Sequence, residues 1–87
     1  MNQSHIDDTT DILRDAAERM GADVSPDGRV SERTASYLLG YEQTSFKNLR
    51  LAGGGPAFYK RFFDGTSTSY RLCDLSAWLE KSREESL

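Results

Sequence analysis

The chain of 87 residues holds one cysteine, one histidine, one tryptophan and two prolines, and each scarcity closes off a class of chemistry or architecture. A lone Cys73 permits no intrachain disulfide and no cysteine-rich zinc site, and its neighbours Leu72 and Leu75 mark it as a small, partly buried hydrophobe rather than a reactive thiol. His5 lies in a start without apolar period, and no cysteine or carboxylate cluster has metal-ligand spacing, so neither a metal nor a cofactor nor an enzymatic constellation is expected. No run approaches the roughly 18 apolar residues needed to span a bilayer. The opening Met1-Asn2-Gln3-Ser4-His5 lacks the basic and apolar regions of a signal peptide, which predicts a cytoplasmic protein with no membrane partner. A chain this short, 37% hydrophobic, supports one small core.

What the chain does have is segregated charge. The formal net charge is −3, but residues 29–71 carry seven Lys/Arg (Arg29, Arg33, Lys47, Arg50, Lys60, Arg61, Arg71) against three acids, a local +4. Residues 1–28 carry seven acids against Arg14 and Arg19, a local −5. A polyanion is attracted to the middle of the chain and repelled by its start.

The apolar pattern divides the chain further. Residues 1–8 show no period and are expected to be mobile. Ile12, Leu13, Ala16, Ala17 and Met20 recur at helical spacing, with acids expected in the first turn and Gly21 to close the helix, which predicts a short acidic helix over about residues 11–20. Residues 22–28, with Ser-Pro and Asp-Gly, read as a linker. Ser31 is a good N-cap for a second helix, with Val30 placed to staple against Ala35, a stripe of Ala35, Leu38 and Leu39, and Gly40 as terminator. Only Tyr41 and Glu42 separate this from a third helix, about Gln43 to Arg50, with Phe46 and Leu49 inward. Two short helices joined so tightly fit a helix-turn-helix or an ordinary helical hairpin. Gly53-Gly54-Gly55-Pro56 then ends all helix. The triple glycine lacks the Lys-Ser/Thr of a phosphate loop and serves as a hinge. Ala57 to Phe63 reads as a strand, Asp64-Gly65 as a turn, and Tyr70-Arg71-Leu72 as the returning strand. A last helix, about Asp74 to Ser82, aligns Leu75, Trp78 and Leu79. The expected core is Leu38, Leu39, Phe46, Leu49, Phe58, Leu72, Leu75, Trp78 and Leu79. The predicted class is mainly α with a β-hairpin, in the order of a winged helix-turn-helix preceded by a short acidic helix. The domain plan is an acidic arm over 1–28, a winged domain over 29–83 and a frayed tail over 84–87.

The runs Val30–Tyr41, Gly53-Gly54-Gly55-Pro56-Ala57-Phe58-Tyr59-Lys60 and Tyr70–Leu79 together resemble the small winged helix-turn-helix proteins of the excisionase group, related to the DNA-binding domain of MerR-type regulators. The likeness covers about two-thirds of the chain; it is specific as a set and weak piece by piece. It implies a prokaryotic, nucleoid-associated recombination directionality factor. Such a protein binds repeated double-stranded DNA sites, bends the DNA, self-associates cooperatively along it and biases a partner integrase toward excision; many members also regulate transcription. The chain departs from the group at the wing, Phe62 to Ser69, which is longer and less basic, with Asp64 and hydroxyls where a Gly-Gly-Arg tip is common. It also carries the acidic arm, which the shortest members lack. MerR-type regulators continue into a dimerisation helix and an effector domain, so the short length favours an architectural role without a small-molecule effector.

With Phe46 and Leu49 inward, Gln43, Thr44, Lys47 and Asn48 are the side chains that a major-groove helix offers to base edges; the alternative is a plain solvated face. Arg29, Arg33, Arg50, Lys60, Arg61 and Arg71, with Thr66, Ser67 and Thr68 at the wing tip, are candidates for backbone phosphates. Of Phe62 and Phe63, adjacent on a strand, one is expected to be exposed. Two other functions fit the same residues: a stand-alone small transcription factor, and a protein-interaction adaptor whose helix-turn-helix is vestigial.

Overall fold

Ile6, Thr10, Leu13 and Ala17 follow one another at spacings of four, three and four, which puts them on one face of a helix. The structure, a computed structural model, describes residues 3–83. Helix α1 (Gln3–Arg19) buries Ile6, Leu13 and Ala17 against α4 (Leu72–Ser82), whose Leu72, Leu75 and Ser76 are buried. Where Thr10 interrupts the apolar stripe the two helices join hydroxyls. Thr10 Oγ1 lies 2.7 Å from the Ile6 carbonyl and 2.9 Å from Ser76 Oγ, and Ser76 donates to the Leu72 carbonyl at 3.0 Å. The buried serine is thereby satisfied.

This packing corrects the reading of the N-terminal segment. The helix expected over about 11–20 begins at Gln3, its first turn holds no acid, and residues 3–8 are helical rather than mobile. Residues 22–28 are not a free linker, because Ala22 and Val24 pack on the core and Ser25 is buried. Leu13 and Ala17 belong to the same cluster as Val30, Ala35, Phe46, Tyr70, Leu72 and Leu75, so residue 28 does not separate two cores. The expected frayed tail, 84–87, lies outside the described residues.

A strand absent from the sequence reading, β1 (Arg29–Ser31), joins β2 (Tyr59–Lys60) and β3 (Thr68–Arg71) in an antiparallel sheet of order β1-β3-β2. Its register sets Arg29 opposite Arg71 and Val30 opposite Tyr70, while Tyr59 stands opposite Ser69. The hairpin is shorter than expected. Leu72 begins α4 rather than ending a strand, its N–H donating to the Gly28 carbonyl at 2.8 Å. The ladder of β2 stops at Arg61, the only non-glycine with positive φ (68°) among the described residues. Arg61 is held there by its N–H on the Ser67 carbonyl (2.6 Å) and its own carbonyl under Ser69 Oγ (3.0 Å).

Helix α2 (Glu32–Leu39) starts as expected: Ser31 Oγ accepts from the Thr34 N–H at 3.2 Å, and Val30 and Ala35 are both buried. Gly40, at φ 79°, takes the left-handed position. There its N–H reaches the Tyr37 carbonyl and the Tyr41 N–H reaches that of Ser36 (3.1 and 2.8 Å), a terminator that a Cβ strains. The next helix, α3 (Gln43–Leu51), buries Phe46 and ends in the same way at Gly53.

Among the expected core residues Phe46, Leu72 and Leu75 are buried, and Leu38, Leu39, Leu49 and Leu79 are half-buried against the cluster. Two others are corrected. Phe58, on the approach to the edge strand β2, is 43% exposed; Tyr70 on the central strand fills the core instead, at 1% exposure. Trp78 is only half-buried, its ring tilted against that of Tyr41 at 6.2 Å between centroids. No described helix is long and apolar enough to cross a membrane.

Candidate nucleic-acid interface

Turning Phe46 inward leaves α3 two outward rows, Gln43-Lys47-Arg50 and Thr44-Asn48-Leu51. The first row lines a groove of about 550 Å³. Its second wall is the hairpin loop, through Asp64, Thr66, Ser67 and Thr68, and its end is the start of α2, through Ser31, Glu32 and Arg33. Seven of the residues expected to meet DNA are therefore brought together: Arg33, Gln43, Lys47, Arg50, Thr66, Ser67 and Thr68. Thr44 and Asn48 are exposed on α3 but do not line the groove.

One polar network fixes this geometry. Glu32 receives Arg50 in a two-pronged pair, with Nε on Oε2 at 2.6 Å and Nη2 on Oε1 at 3.3 Å, and Tyr70 donates its hydroxyl to Oε2 at 2.9 Å. Arg50 also lies 5.5 Å over the Phe58 ring. Burial pushes the Glu32 carboxyl up, but the hydrogen bonds from Arg50 and Tyr70, with the charges of Arg50 and Lys47, outweigh it and leave the group below its ordinary value of 4.5. Burial, reinforced by the bond to Glu32, drives the Tyr70 hydroxyl well above its ordinary range. The bond to Glu32 likewise raises Arg50. Arg50 is thus a tie between α2, α3 and β3, and its expected place on a DNA phosphate is corrected: its donors face a carboxylate.

The cations left free at this edge are Arg33 and Lys47, both exposed and without an ion-pair partner among the described residues. Lys60 and Arg61 are exposed at the hairpin. Asp64 is engaged at the tip, accepting from the Thr66 N–H at 2.9 Å and its hydroxyl at 2.7 Å. Such a turn orders the loop without a glycine-rich sequence. Phe62 is buried and Phe63 is 62% exposed, the expected split, although both lie beyond the end of β2 in the turn closed by the Gly65 N–H on the Phe62 carbonyl.

Arg29 and Arg71 are not part of this groove. Residues 69 and 71 face away from residues 68 and 70 on β3, and Arg29 stands opposite Arg71. Both guanidiniums lie over the Tyr59 ring, at 5.2 and 5.1 Å from its centroid. Arg29 and Arg71, candidates for backbone phosphates, thus lie on the sheet face away from the α3 row.

Glu32 and Tyr70 are the site residues that the sequence did not signal. A glutamate in the first turn of a helix looks like an ordinary dipole partner, and its arginine is 18 residues away, with no local pattern to link them. In comparisons with known proteins, the chain matches no family model, no curated protein and no solved structure. Chemically, the groove presents two free cations, an amide and the exposed hydroxyls of Thr66 and Ser67 beside the Glu32–Arg50 ion pair, while Thr68, expected at the wing tip, is buried in β3. That set suits hydrogen bonding to oxyanions and to base edges.

Proposed function

We propose that the protein binds double-stranded DNA as a winged helix-turn-helix module, with α2 and α3 as the helix pair, α3 as the reading helix and the β2–β3 hairpin as the wing. The observation that carries this reading is the groove lined on one side by Gln43 and Lys47 of α3 and on the other by Thr66, Ser67 and Thr68 of the hairpin. Lys47 and Gln43 read base edges from the groove side of α3, with Thr44 and Asn48 on its adjoining row. Arg33, Lys60 and Arg61 meet phosphates.

The resemblance to the excisionase group extends this to an architectural role, in which the protein bends DNA, self-associates along it and directs an integrase toward excision in a prokaryotic cytoplasm. A second reading, a protein-interaction adaptor, draws on the adjoining apolar side chains Ile12, Met20 and Tyr37, all exposed. Fluorescence anisotropy on a duplex carrying the host attachment region separates the two. DNA binding predicts affinity that falls steeply with salt, and a loss of about 1–3 kcal/mol in Lys47→Ala at the specific site. Salt-independent binding, or equal affinity of the variant and the parent, removes α3 from the reading role.

A further inference from the structure

The sheet face turned away from the groove carries two arginines that share a single ion-pair partner. Arg29 and Arg71 stand opposite each other, both over the Tyr59 ring, and Arg29 also donates to Ser69 Oγ at 3.3 Å. Their one carboxylate is Asp27, 2.9 Å from Arg29 Nε and 3.6 Å from Arg71 Nη2. A third guanidinium arrives from α1. Arg14 has no ion-pair partner among the described residues, and its Nη2 lies 3.1 Å from where a Cβ on Gly28 would stand. Gly28 in turn accepts from the Leu72 N–H, which ties it to the Arg71 junction. Within ion-pair distance the three guanidiniums have one carboxylate between them, that of Asp27, among the described residues. The chain also leaves Arg71 unsatisfied: Nε is covered and has no hydrogen-bond acceptor, while its side chain as a whole keeps 39% exposure, so its terminal N–H groups are reachable.

We propose that Arg14, Arg29 and Arg71 form a phosphate-binding site on the sheet face opposite the DNA groove. A phosphate matches the cluster in charge, about −1.5 to −2 at neutral pH for a monoester, and in shape, since guanidinium forks take oxygens in pairs. Tyr59 holds two of the forks in place by stacking. Free phosphate and the phosphodiester of a nucleic acid segment other than the one on α3 supply the same chemistry.

The test is an NMR titration of the full chain that follows the arginine Nε–H signals and the Gly28 amide, with inorganic phosphate in one arm and duplex DNA in the other, each against chloride at equal ionic strength. Phosphate is expected to move Arg71 Nε–H and Gly28, with binding weakened about tenfold in Arg14→Gln, the loss of one charge-assisted hydrogen bond, and strengthened in Asp27→Asn. Arg14 has no ion-pair partner, so its variant keeps the fold. If DNA moves the Arg71 signal even in Lys47→Ala, the source is a phosphodiester; movement by inorganic phosphate alone identifies free phosphate. No movement in either arm, or movement equal in the parent and both variants, overturns the site. The readout lies away from α3, so its failure is separable from failure of the DNA-binding reading.

Discussion

The α1–α4 side and the α3–hairpin side of this molecule are held by different physics. Between α1 and α4 the contact is an apolar face, Ile6, Leu13 and Ala17 on Leu72 and Leu75, and the acids of α1 other than those in ion pairs point to water. Between α3 and the sheet, Phe46 and Tyr70 form the apolar anchor, ring centroids 5.2 Å apart, and the rest is the Glu32–Arg50–Tyr70 network. Leu51, Phe58 and Phe63 remain exposed there. The first side is apolar burial stitched by two hydroxyl contacts across the helices, Thr10 with Ser76 and Thr9 with Glu80, at 2.9 and 3.1 Å. A side built on directed polar bonds keeps a fixed shape while leaving Lys47 and Arg33 free, which is what a recognition surface needs.

The largest expected effect breaks the first side. Leu13→Ala removes a buried side chain from the shared core and is expected to cost about 2–5 kcal/mol, a fall of roughly 4–8 °C in Tm per kcal/mol for a domain of this size. Leu51→Ala, its exposed counterpart, is expected to stay within about 0.5 kcal/mol. A thermal melt in which both variants match the parent would mean that α1 is an appended arm after all. On the second side, Glu32→Ala strands Arg50, whose side chain is only 16% exposed. The expected loss is about 2–4 kcal/mol, somewhat below that of a fully buried pair, with Glu32→Gln losing less; urea titration measures both.

A smaller effect tests the second side by pH. The Glu32 carboxyl is depressed in the folded state relative to 4.5. Its contribution is therefore complete above that value and is lost as pH falls through the folded-state value. Stability measured below pH 4.5 should decline less steeply in Glu32→Gln than in the parent. Parallel acid limbs would show that the network does not carry that linkage. Arg33→Ala should have the smallest effect, leaving stability within about 0.5 kcal/mol while lowering the salt dependence of DNA binding by about one ion.

The α2–α3 pair was legible because its signals are local: Ser31 as cap, Gly40 as terminator, and Phe46 and Leu49 at helical spacing. The hairpin turn at Asp64-Gly65 and the split of Phe62 from Phe63 are equally local. The N-terminal half of α1 was hidden by Thr10, a polar residue at an apolar position whose partner, Ser76, is 66 residues away. Strand β1 is three residues long, too short for alternation to register, and exists only through its pairing with β3. Phe58 and Tyr70 read alike in sequence. Which of them is core depends on which strand is central, and that follows from β1. The same long-range pairing turned Arg29 and Arg71 away from the groove, a division of the basic residues that no composition or spacing reveals.

The central claim is that duplex DNA lies along α3 and the hairpin, and amide chemical-shift mapping of the full chain with a short duplex tests it most directly. The account predicts the largest shifts over Gln43–Asn48 and Thr66–Thr68, with α1 from Gln3 to Asp8 unmoved. Largest shifts on the outer face of α1, with α3 unmoved, would contradict it.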